Sequence, residues 1–265
     1  KPLRAIIEDP ASDPATYADR ARRLMIRDKC VSVFGSYTSS SRQAVLPIAE
    51  QRNNLYWYPT LYEGRECSRN IMYGGAVPNQ QQDILLPWLV KNFGKKFYML
   101  GNNYVYPKEE NNYCRILLNE LGGEVVHEEY MPMGHSDFSS VINRIRAQQP
   151  DVIFSTLVGD SDVAFARQYH ASELDPAKMP VVSLTRSEVE VRAIGGEAAA
   201  GHFSSAPYFM GYDTPENQRF VENYKSRFGG DQVTDFVSEA GYLPVDQFKA
   251  GLEAVAPGTI RPPAI

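Results

Sequence analysis

Short apolar segments alternate along the chain with longer segments in which apolar residues recur every three or four positions. The short segments are rich in β-branched and aromatic residues, which is typical of strands, and the longer ones are typical of amphipathic helices. Strands that alternate with helices in this way predict βαβ units, and therefore an α/β fold with parallel sheets. The predicted strands are residues 3–8, 30–34, 55–59, 96–100, 124–130, 151–156, 181–184 and 201–208.

Prolines and capping residues mark where the elements begin and break. Asp13 before Pro14 predicts the N-cap and first position of a helix. Pro47 lies inside the helix predicted for residues 41–52 and is expected to kink it. Residues 62–79 have no clear period and are rich in glycine, so we predict a long loop there.

This loop divides the predicted strands into three before it and five after it, which indicates two lobes. A second irregular stretch, residues 208–214, predicts a return to the first lobe. We therefore predict an N-terminal lobe of residues 1–75 and 212–265, incomplete at both ends, and a C-terminal lobe of residues 76–211. Lobes joined by several crossings are expected to enclose a cleft that closes on a ligand by hinge motion.

Composition narrows the classes of partner. The 265 residues are 43% hydrophobic and 22% charged, which is typical of a soluble globular protein. The formal net charge of −5 argues against a direct nucleic-acid partner, and no apolar run is long enough for a transmembrane helix. The odd number of cysteines (Cys30, Cys67, Cys114) favours free, buried thiols and a reducing compartment, although one disulfide with one free thiol is also compatible.

Candidate chemistry lies at three predicted strand ends, where open α/β sheets bind their ligands. Residues 36–41 are rich in hydroxyls at a strand-to-helix turn, which suits either ligand binding or simple N-capping. Tyr58 and Thr60 follow the aromatic strand at residues 55–59, and packing in the core is the alternative for the tyrosine. Tyr104 and Tyr106 are predicted to point the same way from an extended segment.

Catalytic and metal motifs are not found. Residues 35–39 are not a G-x-S-x-G elbow because Tyr37 holds the serine position, and a Ser-Ser-Lys amidase would need a lysine where only Arg42 is close. The histidines are scattered and the cysteines have no metal-ligand spacing, so we expect neither a metal nor a cofactor. Cys114 is predicted to lie in a helix core. These observations favour a binding protein over an enzyme.

Several motifs resemble a known family. Residues 58–64 (Tyr-Pro-Thr-Leu-Tyr-Glu-Gly), 70–75 and 78–80 closely resemble the aliphatic-amide sensors of bacterial amidase operons, and slightly less closely the substrate-binding proteins of urea and short-chain amide ABC transporters. The resemblance covers the chain from Asp9 to about Tyr242 and implies the two-lobed type I periplasmic-binding-protein fold, with the ligand in the cleft between the lobes. Further matching segments are Tyr37 with Ser39, 104–107, 154–159, 183–188 and 206–215.

The resemblance also implies a ligand site. An amide needs acceptors for its NH₂ group and donors for its carbonyl, and hydroxyls can supply both. An ammonium group would need a buried carboxylate, which this set lacks, so a neutral ligand is expected. Leu61 stands where the amide sensors carry proline and the urea binders glutamine, so the exact amide stays open. The implied contact residues are Ser39, Tyr58, Thr60, Tyr104, Tyr106 and Thr185, with Tyr37 contributing through its backbone.

Three functional hypotheses follow. The first is a cytoplasmic sensor that closes on a small neutral amide or urea and thereby changes its affinity for a regulator protein. The second is an extracytoplasmic receptor, periplasmic or lipid-anchored, that passes amide or urea to the membrane permease of an ABC transporter. An amidase is the third and the least supported. The sequence leaves open whether the chain forms a homo-oligomer.

Overall fold

The computed structural model describes residues 3–255. These residues form two compact units: a smaller unit of residues 3–75 and 237–255, and a larger unit of residues 76–236. The sequence pattern predicts that the chain returns to the first lobe at residue 212. In this division residues 212–236 belong to the larger unit. Each unit contains its own parallel sheet.

The chain order of elements alternates strands and helices, as the hydrophobic pattern predicts. The elements are α1 (Pro14–Arg22, continued by a π-helical turn at Arg23–Arg27), β1 (Ser32–Phe34), α2 (Ser39–Gln51), β2 (Leu55–Tyr58), β3 (Ile71–Tyr73), α3 (Pro78–Asn92), β4 (Lys96–Asn102), α4 (Val105–Glu120), β5 (Glu124–Met131), α5 (Ser139–Gln148), β6 (Val152–Thr156), α6 (Asp160–Ala171), β7 (Val181–Ser183), α7 (Glu188–Ile194), α8 (Gly196–Ala199), β8 (Phe203–Ser204), α9 (Pro215–Phe228) and α10 (Phe236–Ala254).

The sheet of the smaller unit has the order β1-β2-β3, and its composition differs from the prediction. Residues 3–8 form no strand, because a strand needs a paired neighbour and among the described residues β1 pairs with β2 alone. Instead, β3 adds to the other edge of β2 from within the predicted loop. Three residues are too few to show a period, so only the pairing reveals this strand.

Predicted helix starts agree with the local chemistry. Pro14 is the first residue of α1, and the Asp13 carboxylate accepts a hydrogen bond from the Thr16 backbone N–H at 2.7 Å, which confirms Asp13 as the N-cap. Helix α2 begins at Ser39 with Thr38 as its N-cap, and Ser41 completes a capping box with Thr38. Capping of α2 is thus carried out by Thr38 and Ser41, which leaves the Ser39 hydroxyl for other contacts.

Side chains alternate between the two faces of β2. Trp57 stacks on Phe34 with ring centroids 5.6 Å apart, and Phe248 of α10 packs edge-on against Phe34 at 5.5 Å. Helix α10 therefore covers this face. Tyr56 and Tyr58 are buried on the opposite face.

The larger unit has a five-stranded parallel sheet of order β5-β4-β6-β7-β8 with buried side chains on both faces. Alternate residues of β4 enter two separate cores, as expected for a parallel sheet covered by helices. One core contains Tyr98, Leu100, Phe138, Val141, Ile142, Ile145, Ile153, Leu157, Phe165, Tyr169 and Val181. The other contains Leu86, Leu89, Phe97, Met99, Cys114, Leu118, Val152, Phe154, Val182 and Leu184.

The cysteines occupy three different environments. Cys114 lies in the second core, as predicted, and its burial raises the pKa of its thiol. Cys30 is half-buried and Cys67 is exposed, and all three are free thiols. Within residues 3–255, no helix combines the length and the apolar character that crossing a bilayer requires.

The protonation of His202 makes the free energy of unfolding depend on pH. Burial, together with the positive charge of nearby Arg186, lowers the pKa of His202 to about 4, and its Nδ1 accepts a hydrogen bond from the Val181 N–H at 3.0 Å. The unfolded chain protonates this histidine below its ordinary pKa of about 6.5, whereas the folded chain keeps it neutral. We therefore expect this site to lower the free energy of unfolding by about 2 kcal/mol between pH 7 and pH 5.

Chemical denaturation at pH 7 and pH 5 measures this effect. The control is His202→Asn, whose side-chain oxygen can still accept from Val181 but does not titrate. Between pH 7 and pH 5 the variant should lose about 2 kcal/mol less free energy of unfolding than the unaltered protein. Equal losses in both proteins would mean that His202 does not titrate in this range.

Candidate functional site

The ends of β1 and β2 bring three of the predicted residues together in the smaller unit. The two strands are parallel, with Phe34 opposite Trp57, so the segments after them are neighbours. The Tyr58 hydroxyl donates to the Tyr37 carbonyl at 2.8 Å, and the Thr60 hydroxyl donates to the same carbonyl at 2.7 Å. The Tyr37 carbonyl thus takes two hydrogen bonds from within the protein.

Ser39 lies beside this group at the first residue of α2. Its hydroxyl donates to the Glu63 carboxylate at 2.5 Å and accepts from Nη1 of Arg42 at 3.0 Å. Burial raises the pKa of Tyr58. Four of the seven predicted residues are therefore gathered at one edge of the sheet, and we call Tyr37, Ser39, Tyr58 and Thr60 the hydroxyl cluster.

A buried ion-pair network supports the hydroxyl cluster. Arg42 is 0% exposed; its Nη2 lies 2.7 Å from Glu63 and its Nε 2.8 Å from Glu66. The guanidinium also stands 4.9 Å from the centroid of the Tyr58 ring and 5.0 Å from that of Tyr62. Burial lowers the pKa of Arg42, but the hydrogen bond to Glu66 and the charge of Glu63 outweigh it, so the pKa is raised and the side chain stays charged.

This network was missed by the sequence analysis. In the sequence, Arg42 stands out only as the basic residue close to Ser39, and Glu63 only as a member of the motif at residues 58–64. The implied contact set contains no carboxylate, but Glu63, which is 7% exposed, is bound to Ser39 of that set. A charged residue in the first turn of a predicted helix and another just after a predicted strand were the available signal, but 21 residues separate Arg42 from Glu63.

In the larger unit, Thr185 lies just after β7, next to the end of β6. Its hydroxyl donates to the Leu157 carbonyl, and its backbone N–H donates to the Ser183 hydroxyl at 3.2 Å. The next residue, Arg186, forms a buried bidentate ion pair with Asp162. Its Nε and Nη2 donate to the two carboxylate oxygens at 2.8 and 2.9 Å. These contacts hold the segment after β7 in one conformation.

Tyr104 and Tyr106 are arranged differently from the prediction. Strand β4 ends at Asn102 and helix α4 begins at Val105, so Tyr104 is the N-cap and Tyr106 lies in the first helical turn. The expectation of an extended segment is therefore wrong. The two rings remain neighbours, with centroids 6.2 Å apart and planes tilted by 33°, and Tyr106 is 2% exposed.

Two parallel sheets flanked by helices are typical of open α/β folds, which bind ligands at the carboxyl ends of their strands. Comparison with known proteins identifies the class. Residues 1–262 match the family model described as periplasmic binding protein domain, and the chain belongs to this family. The predicted α/β fold with two parallel sheets is confirmed.

The relatives are named as binding proteins. The chain is 25% identical over 243 residues to the Leu/Ile/Val-binding protein homolog 6 of Brucella suis biovar 1 (strain 1330), across 88% of this chain and 61% of the relative. It is similar to the solute-binding protein of an ABC transporter from Rhodopseudomonas palustris HaA2 in complex with p-hydroxybenzoic acid, with a TM-score of 0.88, 22% identity and coverage of 97% and 71% of the two chains. It also resembles an ABC transporter substrate-binding protein from Sphaerobacter thermophilus, with a TM-score of 0.78, 25% identity and coverage of 92% and 68%.

These findings correct one prediction and agree with another. The cytoplasmic location is wrong, because the family is one of periplasmic proteins. Signal peptides are removed from mature chains and free thiols are only a weak indicator, so the sequence arguments could not decide the compartment. The family is one of binding proteins, in agreement with the prediction of a non-enzyme. The chain spans 61% of the length of the Brucella relative.

Proposed function

We propose that this chain is the solute-binding part of an extracytoplasmic receptor for an ABC transporter, and that its solute is a small neutral amide such as acetamide or urea. The names of the similar proteins support the receptor role. One observation supports a neutral solute: the charges beside the hydroxyl cluster, buried Arg42 and Glu63 and partly exposed Glu66, are already paired with one another. A charged solute would have to break or outcompete these pairs at a high cost in desolvation.

The groups around Ser39 also suit an amide. The hydroxyl cluster offers oxygen atoms to the solute's NH₂ group. In the first turn of α2 the Ser41 N–H donates to the Thr38 hydroxyl, whereas the N–H groups of Ser39 and Ser40 have no acceptor within the helix. Those two N–H groups can donate to the solute's carbonyl oxygen. The proposed contacts are Tyr37, Ser39, Tyr58 and Thr60 from the smaller unit and Tyr104, Tyr106 and Thr185 from the larger unit.

A ligand panel followed by thermal unfolding tests this proposal. Acetamide, propionamide and urea are compared with leucine, glutamate and 4-hydroxybenzoate. A ligand at 100 times its Kd stabilises the folded protein by about 2.7 kcal/mol, which raises the Tm of a chain of this size by roughly 5–10 °C. We expect this rise with the amides. Stabilisation by leucine or 4-hydroxybenzoate and none by any amide would refute the amide assignment.

Two variants test whether Thr60 and Thr185 each contribute to solute binding. Thr60→Val and Thr185→Val remove one hydroxyl each with little change in side-chain volume, and each is expected to raise the Kd of the bound amide about tenfold. Ser226→Ala, on the exposed part of α9, is the control and should leave the Kd unchanged. An unchanged Kd in either threonine variant would remove that residue from the proposed site.

A further inference from the structure

The hydroxyl protons of Tyr58 and Thr60 have acceptors within the protein. Tyr58 and Thr60 donate to the Tyr37 carbonyl, which can only accept. In the larger unit, Thr185 donates to the Leu157 carbonyl in the same way. A hydroxyl has one proton and two lone pairs, so each of these groups can only accept a hydrogen bond from a solute.

The direction of the hydroxyl proton is best determined for Ser39. Arg42 is a donor without acceptor capacity, so the Ser39 oxygen must accept from it at 3.0 Å. The Ser39 proton then points to the Glu63 carboxylate at 2.5 Å, an acceptor with which it forms a charge-assisted hydrogen bond. One lone pair of the Ser39 oxygen remains for a solute.

Arg42 and Ser39 hold Glu63 in this position. One Glu63 oxygen accepts from Arg42 and the other from Ser39, so the carboxylate is anchored on both sides. Glu66 accepts a hydrogen bond from Nε of Arg42 at 2.8 Å and another from the Tyr73 hydroxyl. Glu63 and Glu66 therefore carry the same formal charge beside the same arginine, but Glu63 is the one bonded to Ser39.

We propose that Glu63 is a positioning residue for specificity: by holding the Ser39 proton, it makes the hydroxyl cluster a set of acceptors that selects the N–H end of a solute and rejects a carboxylate. The proposal rests on the proposed function and deepens it. The solute class is then carboxamides and ureas, and the matching carboxylic acids, which are ionised at neutral pH, are excluded at this edge of the sheet.

Calorimetric binding of propionamide and propionate to the whole chain tests the inference. These two solutes have nearly the same shape, but the amide is neutral and both donates and accepts, whereas the carboxylate is negatively charged and only accepts. In the unaltered protein the acid should bind about 100-fold more weakly or worse, since a site with matched hydrogen-bonding groups rejects analogues strongly. The quantity compared between variants is the ratio of the two Kd values, which a general loss of stability does not change.

Two matched variants separate hydrogen-bond direction from charge. In Glu63→Gln the side-chain NH₂ can donate to the Ser39 oxygen and release the Ser39 proton toward the solute. The Kd of propionate divided by the Kd of propionamide should then fall to about ten or less. Glu66→Gln removes the same formal charge and keeps the Ser39–Glu63 hydrogen bond, so its ratio should stay within about threefold of the unaltered protein. If Glu63→Gln does not fold, Ser39→Ala is used, and it should weaken propionamide binding without weakening propionate binding.

The outcomes are distinguishable. Equal binding of acid and amide by the unaltered protein would overturn the inference and leave the receptor function standing. An equal fall of the ratio in Glu63→Gln and Glu66→Gln would overturn it as well, because charge and not proton direction would then be the cause. If neither solute binds, the amide assignment fails and the inference fails with it. A fall of the ratio in Glu63→Gln alone supports it.

Discussion

Replacing Arg42 with methionine is expected to lower the free energy of unfolding of the smaller unit by about 3–5 kcal/mol, because breaking a buried ion pair leaves its partners uncompensated. Glu63 and Glu66 would both lose the guanidinium that neutralises them. Unfolding should be induced with guanidinium chloride, since urea is a candidate ligand. The chain has two tryptophans, and in a Trp88→Phe background the fluorescence of Trp57 reports on the smaller unit.

An exposed ion pair in the same unit provides the control. Arg23 lies 3.0 Å from Asp19, and both side chains are exposed to solvent. Arg23→Met should change the free energy of unfolding by at most about 1 kcal/mol, because exposed pairs contribute little. If the Arg42 and Arg23 variants lose the same amount, the buried network does not stabilise the unit as described.

Replacing Gly75 with alanine is expected to damage both solute binding and stability. A Cβ at this position would stand 2.1 Å from the carbonyl carbon of Thr60 and 2.2 Å from the backbone nitrogen of Leu61. Backbone atoms cannot move away as a flexible side chain can, so the segment that carries Thr60 must shift. We expect a loss of about 3 kcal/mol in the free energy of unfolding and a rise in the Kd of the amide of more than about tenfold.

Its neighbour supplies a matched control. A Cβ on Gly74 would meet the Pro59 Cα and the Tyr58 carbonyl oxygen at 3.5 Å, which is ordinary van der Waals contact. Gly74→Ala should therefore keep the Kd and the stability close to those of the unaltered protein. Calorimetry with acetamide and thermal unfolding measure both quantities, and an equally harmful Gly74 variant would contradict the steric explanation.

Much of the fold was predictable from local sequence. The strand Leu55–Tyr58, the helix that starts at Pro14 and the five strands of the larger unit all follow from periods and capping residues that lie within a few positions of one another. Residues 3–8 and Ile71–Tyr73 were assigned wrongly for the same reason. Whether a short apolar segment becomes a strand depends on a partner that is distant in sequence.

The candidate site was predictable to a similar degree. Hydroxyl-bearing residues after the predicted strands could be identified because the carboxyl ends of parallel strands meet at one edge. The arrangement of Tyr104 and Tyr106 was predicted wrongly, since the chain enters α4 one residue after Tyr104 and not in an extended segment. A polar end of a strand and a polar start of a helix look alike in sequence.

The sequence by itself determined the α/β class and the residue types at the strand ends, because both depend on neighbours within one turn or one strand. Only the tertiary structure decided which way the hydroxyl protons point. The Ser39–Glu63 bond joins residues 24 positions apart, and the Arg42–Glu63 pair spans 21. The direction of a hydrogen bond depends on the acceptors brought near by folding. Ser39, which can donate or accept in an unfolded chain, donates to Glu63 and accepts from Arg42 in the folded one.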